Sequence, residues 1–241
     1  MKLKTCYLVL ETDRPVTKDA THLRGYVAGM YPDRPILHHH APALLYTYPR
    51  VQYRVVEGTP AVLGIEEGAE TLREIGGSIA ELSLGNETYQ VTRRVAYEQE
   101  VGLHPTRGMW HYRFVTPWLA LNEKNYERYQ KAETWPEKKD LINRILVGNV
   151  LSMAKGLGCV VDQRLRAATH LEQVPVTYKG IGMTGFVGEF RVNFAIPEYF
   201  GLGKGVSRGF GAVKPIPPLK KGSGAPKEGG KEPFPIWSED R

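Results

Sequence analysis

Short stretches of alternating or mostly apolar residues, separated by glycine, proline and charged positions, predict a chain rich in β-strands. The predicted strands are residues 3–10, 51–56, 61–65, 79–84, 88–97, 110–119, 170–178 and 186–196. Apolar residues recur at helical spacing in residues 21–31, in a short stretch around residues 69–75, and in residues 137–157. The first part has the strand and helix order of a ferredoxin-like domain. The second part again mixes one long helix with several strands, so the pattern predicts an α+β chain of two related halves.

The longest predicted helix has recognisable signals at both ends. Thr134 and Glu137 match a capping box, in which each side chain bonds the other residue's backbone amide. Pro136 falls in the first turn, where its missing amide proton costs nothing. Gly156 and Gly158 favour an end to the helix. This is the element whose position the sequence predicts most closely.

The composition says more about the cellular compartment of the protein than about its binding partner. A chain of 241 residues can bury a core without disulfides or structural metal. Cys6 and Cys159 are too few for a disulfide framework or a four-thiolate zinc site, so we expect a cytoplasmic protein. The apolar stretch at the N-terminus is shorter than a signal-peptide core, and we expect no membrane helix. The net charge of +6 suits a polyanionic partner and equally a solvated basic surface.

Beyond residue 213, proline, glycine and lysine dominate the sequence. Such a composition offers little apolar surface to bury, so we expect residues 214–241 to form a disordered tail. The order of the remaining elements predicts a first domain over residues 1–85, which carries a histidine cluster. It predicts a second domain over residues 86–213, which carries a glycine-rich loop.

That loop has the sequence GLGKGVSRGFGAV and comes after the last long predicted strand, at residues 201–213. Glycine permits positive φ and lets backbone amides approach a phosphate, while Lys204 and Arg208 add positive charge. The chain contains no GxxxxGK[ST] pattern, and a GxGxxG match at residues 180–185 precedes a predicted strand rather than a helix. The match therefore predicts a hairpin turn, and the loop itself suits a phosphate backbone.

Three consecutive histidines, His38, His39 and His40, carry side chains that can exchange protons near neutral pH. Side chains alternate between faces in an extended segment, so His38 and His40 would point the same way, roughly 6 to 7 Å apart. If the substrate is RNA, one imidazole could then remove the proton of a ribose 2′-hydroxyl while the other protonates the 5′-oxygen that leaves. The cluster is a candidate acid and base pair.

The same cluster allows two other interpretations. Pro35 and Pro42 flank it, which is typical of an exposed polar turn. A His-x-His pair can also bind a metal ion, with Asp33 or a distant residue as a third ligand. Several other basic residues are able to neutralise phosphates, but we interpret them as solvated surface charges. They are Arg24, Arg34, Lys155, Arg164 and Arg166.

The glycine-rich loop resembles the C-terminal signature of the RAMP superfamily of CRISPR-associated RNA-binding proteins. The positions that carry the resemblance are Gly203, Lys204, Gly205, Arg208, Gly209, Phe210 and Gly211. The segment LRGYVAGMYPDRPILHHHAPALLYTYPRVQYRV, at residues 23–55, is similar to the archaeal-type CRISPR repeat-processing endoribonucleases of that superfamily. In those enzymes the catalytic histidines lie in the N-terminal half. The resemblance extends in layout over residues 1–213.

The resemblance implies two tandem ferredoxin-like (RRM-like, βαββαβ) domains and cleavage of precursor crRNA by 2′-hydroxyl attack, without metal or other cofactor. CRISPR repeat RNA is the expected partner, and other CRISPR effector subunits or a second copy of the chain are further candidates. The implied catalytic residues are His38 and His40, with Tyr46 and Tyr48 as candidates to orient the ribose or phosphate. Core packing stays equally open for both tyrosines. The implied RNA-binding residues are Gly203, Lys204, Gly205, Arg208, Gly209 and Gly211.

Two other functions compete with an endoribonuclease. A catalytically silent RNA-binding subunit of a CRISPR effector would keep the glycine-rich loop without needing a histidine pair. An unrelated nucleotide-using enzyme would need a phosphate loop that opens a helix, and the sequence offers none. The presence of both loop and histidines in one chain favours the endoribonuclease.

Overall fold

The computed structural model describes residues 1–38 and 48–217, which form two antiparallel sheets in succession along the chain. Most of the predicted tail, from residue 218 onward, lies outside the described residues. Its first positions do not: Lys214 and Pro215 belong to a short strand of the second sheet. Among the described helices, none combines the length and apolar character needed to cross a bilayer.

Five strands form the first sheet, and two longer helices pack against one of its faces. The strands are β1 (Lys2–Thr12), β2 (Val51–Val56), β3 (Thr59–Ile65), β4 (Glu81–Leu84) and β5 (Glu87–Gly102). The helices are α1 (Ala20–Met30), a single turn α2 (Pro35–His38) and α3 (Glu67–Ile75). The strand order across the sheet is β2-β3-β1-β5-β4, and every neighbouring pair is antiparallel.

The alternating pattern of β1 explains which face the helices cover. Cys6, Leu8 and Leu10 are buried and share one apolar cluster with Leu23 of α1 and Leu72 of α3. Side chains two residues apart lie on the same face of a strand, so every second residue of β1 points into this core. The opposite face of the same strand is left to contact the second domain.

Strand β5 belongs to the first sheet, so the predicted domain boundary between residues 85 and 86 is wrong. It pairs with β1 along most of its length and takes the place beside that central strand. The pattern assigned this place to the strand at residues 79–84, but β4 lies at the sheet edge and pairs with β5. Alternation predicts a strand without predicting its partner. The chain passes from the first sheet to the second near residue 103.

Four strands form the second sheet. They are β6 (His104–Trp118), β7 (Ala167–Tyr178), β8 (Ile181–Ala195) and β9 (Val213–Pro215). Two helices, α4 (Glu123–Lys131) and α5 (Trp135–Gly156), lie between β6 and β7 in the sequence. The order β7-β8-β6-β9 is that of a ferredoxin-like sheet in which the first and third strands are central. The predicted fold class, two tandem ferredoxin-like domains in an α+β chain, is confirmed.

The predicted capping box at the start of α5 is present. Thr134 Oγ1 accepts a hydrogen bond from the Glu137 amide at 3.4 Å, and a Glu137 carboxylate oxygen accepts one from the Thr134 amide at 3.2 Å. The apolar stripe of α5, which includes Ile142, Leu146 and Val150, is buried against the second sheet. The long helix therefore forms where local signals and packing agree.

In the second domain, a loop stands where a ferredoxin-like fold has its second helix. Residues 196–212, all of which the structure describes, connect β8 to β9 with a single 3₁₀ turn at Val206–Arg208. This segment contains the glycine-rich loop. Because this loop takes the place of a helix, it lies against the first domain.

The two domains share an apolar interface. Leu3, Leu63 and Ile65, on the face of the first sheet that the helices leave open, are buried in one cluster with residues of the second domain. Tyr48, just before β2, belongs to this cluster as well. Because buried apolar surface is continuous across the joint, the domains are held in a fixed relation rather than linked by an exposed hinge.

Candidate functional site

All four signature glycines of the loop have positive φ. The values are +83° at Gly203, +77° at Gly205, +91° at Gly209 and +69° at Gly211. This left-handed region is open to glycine and costly for residues with a Cβ. The spacing of the glycines in the sequence motif therefore matches the positions where the loop backbone is left-handed.

A Cβ on any of the four glycines would lie closer than 3.0 Å to another atom, and Gly211 and Gly209 show the two kinds of contact. A Cβ on Gly211 would lie 2.0 Å from the carbonyl oxygen of Leu202, inside the loop. A Cβ on Gly209 would lie 2.6 Å from Cβ of Ala20 and 3.0 Å from the carbonyl oxygen of Tyr53, both in the first domain. Gly211 thus closes the loop, and Gly209 lets it contact α1 and β2.

The beginning of the loop is held by a buried polar network that involves β2 and Tyr48 just before it. Gln52 Oε1 accepts a hydrogen bond from the Gly201 amide at 3.1 Å, and the Tyr48 hydroxyl donates to the Gly201 carbonyl at 2.9 Å. The Arg54 guanidinium donates to the carbonyl of Tyr199 at 2.5 Å and to Gln52 Oε1 at 3.3 Å. The bonds to Gly201 and Tyr199 cross from one domain to the other, so the network fixes the loop on β2.

This network decides the position of Tyr48. Its ring is buried, it packs against Gly156 at the end of α5, and burial raises the pKa of its hydroxyl above the usual range. A hydroxyl committed to the Gly201 carbonyl inside the core cannot reach a phosphate in solvent. The catalytic role predicted for Tyr48 does not fit this position, and the packing alternative does.

His38 is the last residue of α2, so the extended backbone predicted for it is wrong. The Arg24 guanidinium donates to the His38 carbonyl, and the Tyr53 hydroxyl donates to the Leu37 carbonyl at 3.2 Å. The Nε2 atom of His38 is buried and has no hydrogen-bond partner among the described residues. His40 and Tyr46, the other two predicted catalytic residues, lie outside the described residues, so the proposed spacing between His38 and His40 stays a prediction.

Arg24 connects the histidine segment to the glycine-rich loop. Its side chain is buried, and burial together with the nearby charge of Arg208 lowers the pKa of its guanidinium. Neither arginine forms a salt bridge with a carboxylate in the part of the chain that the structure describes. Two neighbouring cations without an acidic partner repel each other, and an anion bound between them would relieve that repulsion.

An aromatic group borders the same loop on the side of the second domain. The Tyr178 ring, at the end of β7, meets Phe210 edge to face with centroids 5.7 Å apart. The Lys204 ammonium lies 5.2 Å from the centroid of Tyr178, and that of Lys179 lies 5.8 Å from it. Lys179 and Gly180 form the tight turn between β7 and β8. Of the GxGxxG match predicted as a hairpin turn, only Gly180 lies in this turn, and the rest belongs to β8. Exposed cations around an aromatic ring suit a nucleic acid strand.

The structure therefore joins residues that are far apart in the sequence. His38, Arg208 and the loop glycines, all predicted site residues, are linked through Arg24 and Tyr53 of the first domain. The interpretation of Arg24 as a solvated surface charge is wrong, because it is buried. Sequence reasoning also missed Tyr178, whose only signal was an aromatic residue beside a basic hairpin turn.

Within residues 1–38 and 48–217, no three His, Cys, Asp or Glu side chains are placed to hold a metal ion together. The predicted alternative of a His38 and His40 metal pair cannot be tested there, because His40 lies outside those residues. Asp33, its suggested third ligand, is exposed near the start of α2.

Comparisons with known proteins agree with this arrangement. Residues 1–101 match the sequence model of the Cas6b N-terminal domain, and residues 104–216 match that of the Cas6b C-terminal domain. The two matches meet where the structure passes from the first sheet to the second. They cover both candidate motifs, the histidine segment and the glycine-rich loop.

Two solved structures are similar to nearly the whole chain, and a curated relative is similar to part of it. A structure described as Cas6b is 35% identical with a TM-score of 0.81, and covers 90% of this chain and 100% of its own. A structure of a CRISPR RNA processing endoribonuclease Cas6b is 32% identical with a TM-score of 0.73, at the same coverage. The uncharacterised protein MJ0978 of Methanocaldococcus jannaschii is 45% identical over 141 residues, 58% of this chain and 95% of that protein.

Proposed function

The chain belongs to the Cas6b family, and from that premise we propose that it is an endoribonuclease that binds CRISPR repeat RNA and cuts precursor crRNA. The proposed reaction is attack of a ribose 2′-hydroxyl on the adjacent phosphate, which leaves a 2′,3′-cyclic phosphate and a 5′-hydroxyl. No metal ion takes part in this scheme, since the nucleophile belongs to the RNA and side chains move the protons.

One observation carries the proposal beyond family membership. The segment that bears His38 and the loop that bears Arg208 are 170 residues apart in the sequence, and both lie near Arg24: its guanidinium donates to the His38 carbonyl, and its helix α1 contacts the turn at Val206–Arg208. Proton-transferring groups and phosphate-binding groups are the two requirements of RNA cleavage by an internal hydroxyl. A purely RNA-binding subunit would need the second group alone.

We assign the proton transfers to His38 and His40. Arg24 and Tyr53 fix the backbone at the end of α2, which positions His38. The Nε2 atom of His38 has no hydrogen-bond partner among the described residues, and because it is buried there, its proposed proton transfer requires the bound RNA to reach it. Of the two tyrosines suggested by the sequence, Tyr46 remains the candidate to orient the ribose, since Tyr48 is committed to the core.

We assign phosphate binding to the loop and its neighbours. Arg24 and Arg208 present positive charge without carboxylate partners among the described residues, and Lys204 adds charge beside Tyr178. Cations placed where negative charge develops on the phosphate stabilise the transition state. The loop glycines contribute by holding these groups in place, since their positive φ and close contacts define the loop.

The test is cleavage of labelled repeat RNA by the purified protein in EDTA, with identification of both new termini. We expect a cut that leaves a 2′,3′-cyclic phosphate, and a 2′-deoxy substitution just upstream of the cut should abolish it. His40→Ala and His38→Ala should each slow single-turnover cutting by about 10² to 10⁴, with RNA affinity nearly unchanged, because a positioned acid or base contributes that much. His39→Ala is the matched control and should have a mild effect.

Three results would contradict the proposal in different ways. Cleavage that requires magnesium, or that survives the 2′-deoxy substitution, would exclude the internal hydroxyl as nucleophile. Tight binding with no cleavage would identify a silent RNA-binding subunit. A rate that depends on His39 and not on its two neighbours would move the acid and base to the other side of the histidine segment.

A further inference from the structure

A second basic surface lies on the second domain, and no residue of the glycine-rich loop lines it. It is a groove of about 1130 Å³ between one side of α5 and the segment that leads into β7. Four arginines and one aspartate line it, and we call it the arginine groove. They are Arg107, Arg144, Arg164, Arg166 and Asp140.

The wall that carries Arg164 and Arg166 is held by backbone bonds. Asn193 of β8, itself buried, donates to the Arg164 carbonyl at 3.1 Å and accepts from the Arg166 amide at 2.6 Å. Gln163 donates to the Thr106 carbonyl at 2.8 Å, which ties this wall to the irregular part of β6 beside Arg107. These bonds use only backbone atoms of Arg164 and Arg166, and both arginines are exposed.

The charges of the groove are mostly uncompensated. Arg144 forms a salt bridge with Asp140 at 3.0 Å, and both side chains are largely exposed. Arg107, Arg164 and Arg166 are exposed and pair with no carboxylate among residues 1–38 and 48–217. Four cations against one anion give the groove a net charge of about +3, which attracts a polyanion.

Its lining is partly apolar, which a site for phosphate alone would not require. Val147 and Leu151 extend the α5 side of the groove one helical turn apart, and Val161 lies on the other wall. Leu151 is 41% exposed, a large apolar side chain left in solvent on a helix whose other side is core. Apolar side chains among arginines suit the flat faces of unpaired bases, whereas the bases of an A-form duplex are stacked inside it.

We propose that the arginine groove binds an unpaired stretch of the same repeat RNA, outside the nucleotides at the cut, and this rests on the function proposed above. Gly156, which packs against Tyr48 near the domain interface, is five residues beyond Leu151 and sixteen beyond Asp140. At 1.5 Å per helical residue, the groove extends from about 8 Å to about 24 Å along α5 from that contact. An RNA longer than the cleaved site can therefore occupy both.

The test compares the double variant Arg164→Ala, Arg166→Ala with the double variant Arg34→Ala, Arg73→Ala. Arg34 and Arg73 are also exposed, and their substitution removes the same charge. They lie on the first domain, in salt bridges with Glu74 and Glu98. Binding is measured at several salt concentrations with the full repeat RNA and with a short RNA that spans only the cut.

For the full repeat, the groove variant should bind at least tenfold more weakly. The salt slope of log affinity should fall in magnitude by about 1.4, because each lost single-strand phosphate contact contributes about 0.7. Affinity for the short RNA and the cutting rate at saturating protein should not change. A repeat in which 4-thiouridine replaces uridine outside the cut should crosslink to peptides of the groove in the wild type and lose those crosslinks in the variant.

Several outcomes would overturn the inference. Equal losses in the two double variants would reduce it to an effect of net charge, and equal losses on short and full RNA would place the arginines at the cut. Unchanged affinity with no crosslink would leave the groove to another occupant, such as an acidic protein. If the wild type binds the repeat without cutting it, the proposed function fails while the groove variants can still be compared in binding.

Discussion

The two ferredoxin-like domains differ in the segment after their third strand, and the difference decides where the site forms. In the first domain, α3 packs on its own sheet, with Leu72 and Ile75 buried in the local core. In the second domain, the corresponding segment is the glycine-rich loop, which rests on α1 and β2 of the first domain. One domain completes its own core, and the other uses its neighbour to hold an irregular loop.

The loop glycines therefore allow the loop to pack against other parts of the protein, which a phosphate-binding motif alone would not suggest. The loop is shaped by contacts with protein atoms, through positive φ at Gly205 and Gly209 and through the bonds of Gly201 to Gln52 and Tyr48. Arg208 comes near Arg24 only when both domains are folded and in contact. The candidate site is a property of the interface between the domains and of neither domain alone.

The largest expected effect comes from Gly209→Ala, which places a Cβ against Ala20 and imposes left-handed backbone on an alanine. Strain and overpacking of this kind each cost about 1–3 kcal/mol, so we expect the free energy of unfolding to fall by about 2–6 kcal/mol. RNA cleavage should fall as the loop leaves β2. Chemical denaturation and single-turnover cleavage measure the two effects.

A double-mutant cycle separates contact from strain at this position. Ala20→Gly in the Gly209→Ala background removes the clash while leaving the positive φ, so it should restore part of the stability and activity. Gly25→Ala on the exposed side of α1 is the control, because its new Cβ meets no atom of the described residues within 4 Å and should stabilise the helix by about 0.5–1 kcal/mol. Additive effects of the two interface changes would show that the loop does not depend on this contact.

A smaller effect is expected from Arg208→Ala, which removes a loop cation without altering the loop backbone. The magnitude of the salt slope of log affinity should fall by about 0.7 to 0.9 through loss of one phosphate contact, and saturated RNA should still be cut. Isotherms at several salt concentrations and single-turnover rates measure both. Unchanged affinity and slope with a collapsed rate would place Arg208 in proton transfer or transition-state stabilisation rather than in binding.

Local signals in the sequence predicted much of the fold and part of the site. Strand β2 is found at the predicted residues, and α5 begins at its predicted capping box, since both depend on neighbours in the chain. Helix α4 went unpredicted because its surface is polar nearly all round, with Tyr129 its buried residue. The loop glycines were recognisable because each marks a backbone conformation.

Long-range partners were beyond the reach of the same reasoning. Nothing near Arg24 in the sequence indicates that it is buried under the loop and bonded to His38, and nothing near Tyr48 distinguishes a core tyrosine from a catalytic one. The partner of β5 is also a long-range property, which explains the misplaced domain boundary. In each case the sequence near the residue or strand does not indicate which distant segment packs against it.

The smallest effect tests the other side of the comparison, the way in which the first domain holds its own helix. Glu87 accepts hydrogen bonds from Tyr89 at 2.7 Å and from Thr17 at 3.1 Å, and pairs with Lys18 at 2.9 Å just before α1. Hydrogen bonds from Tyr89 and Lys18 lower the pKa of Glu87 to about 2. A carboxyl with a lowered folded-state pKa stabilises the fold above its unfolded pKa, and the stabilisation is lost as pH falls toward 2. Glu87→Gln should therefore lower the melting temperature modestly at pH 7 and by progressively less below about pH 4.5. If the difference in melting temperature between wild type and variant stays constant from pH 7 to pH 3, the charge of Glu87 does not help to hold α1.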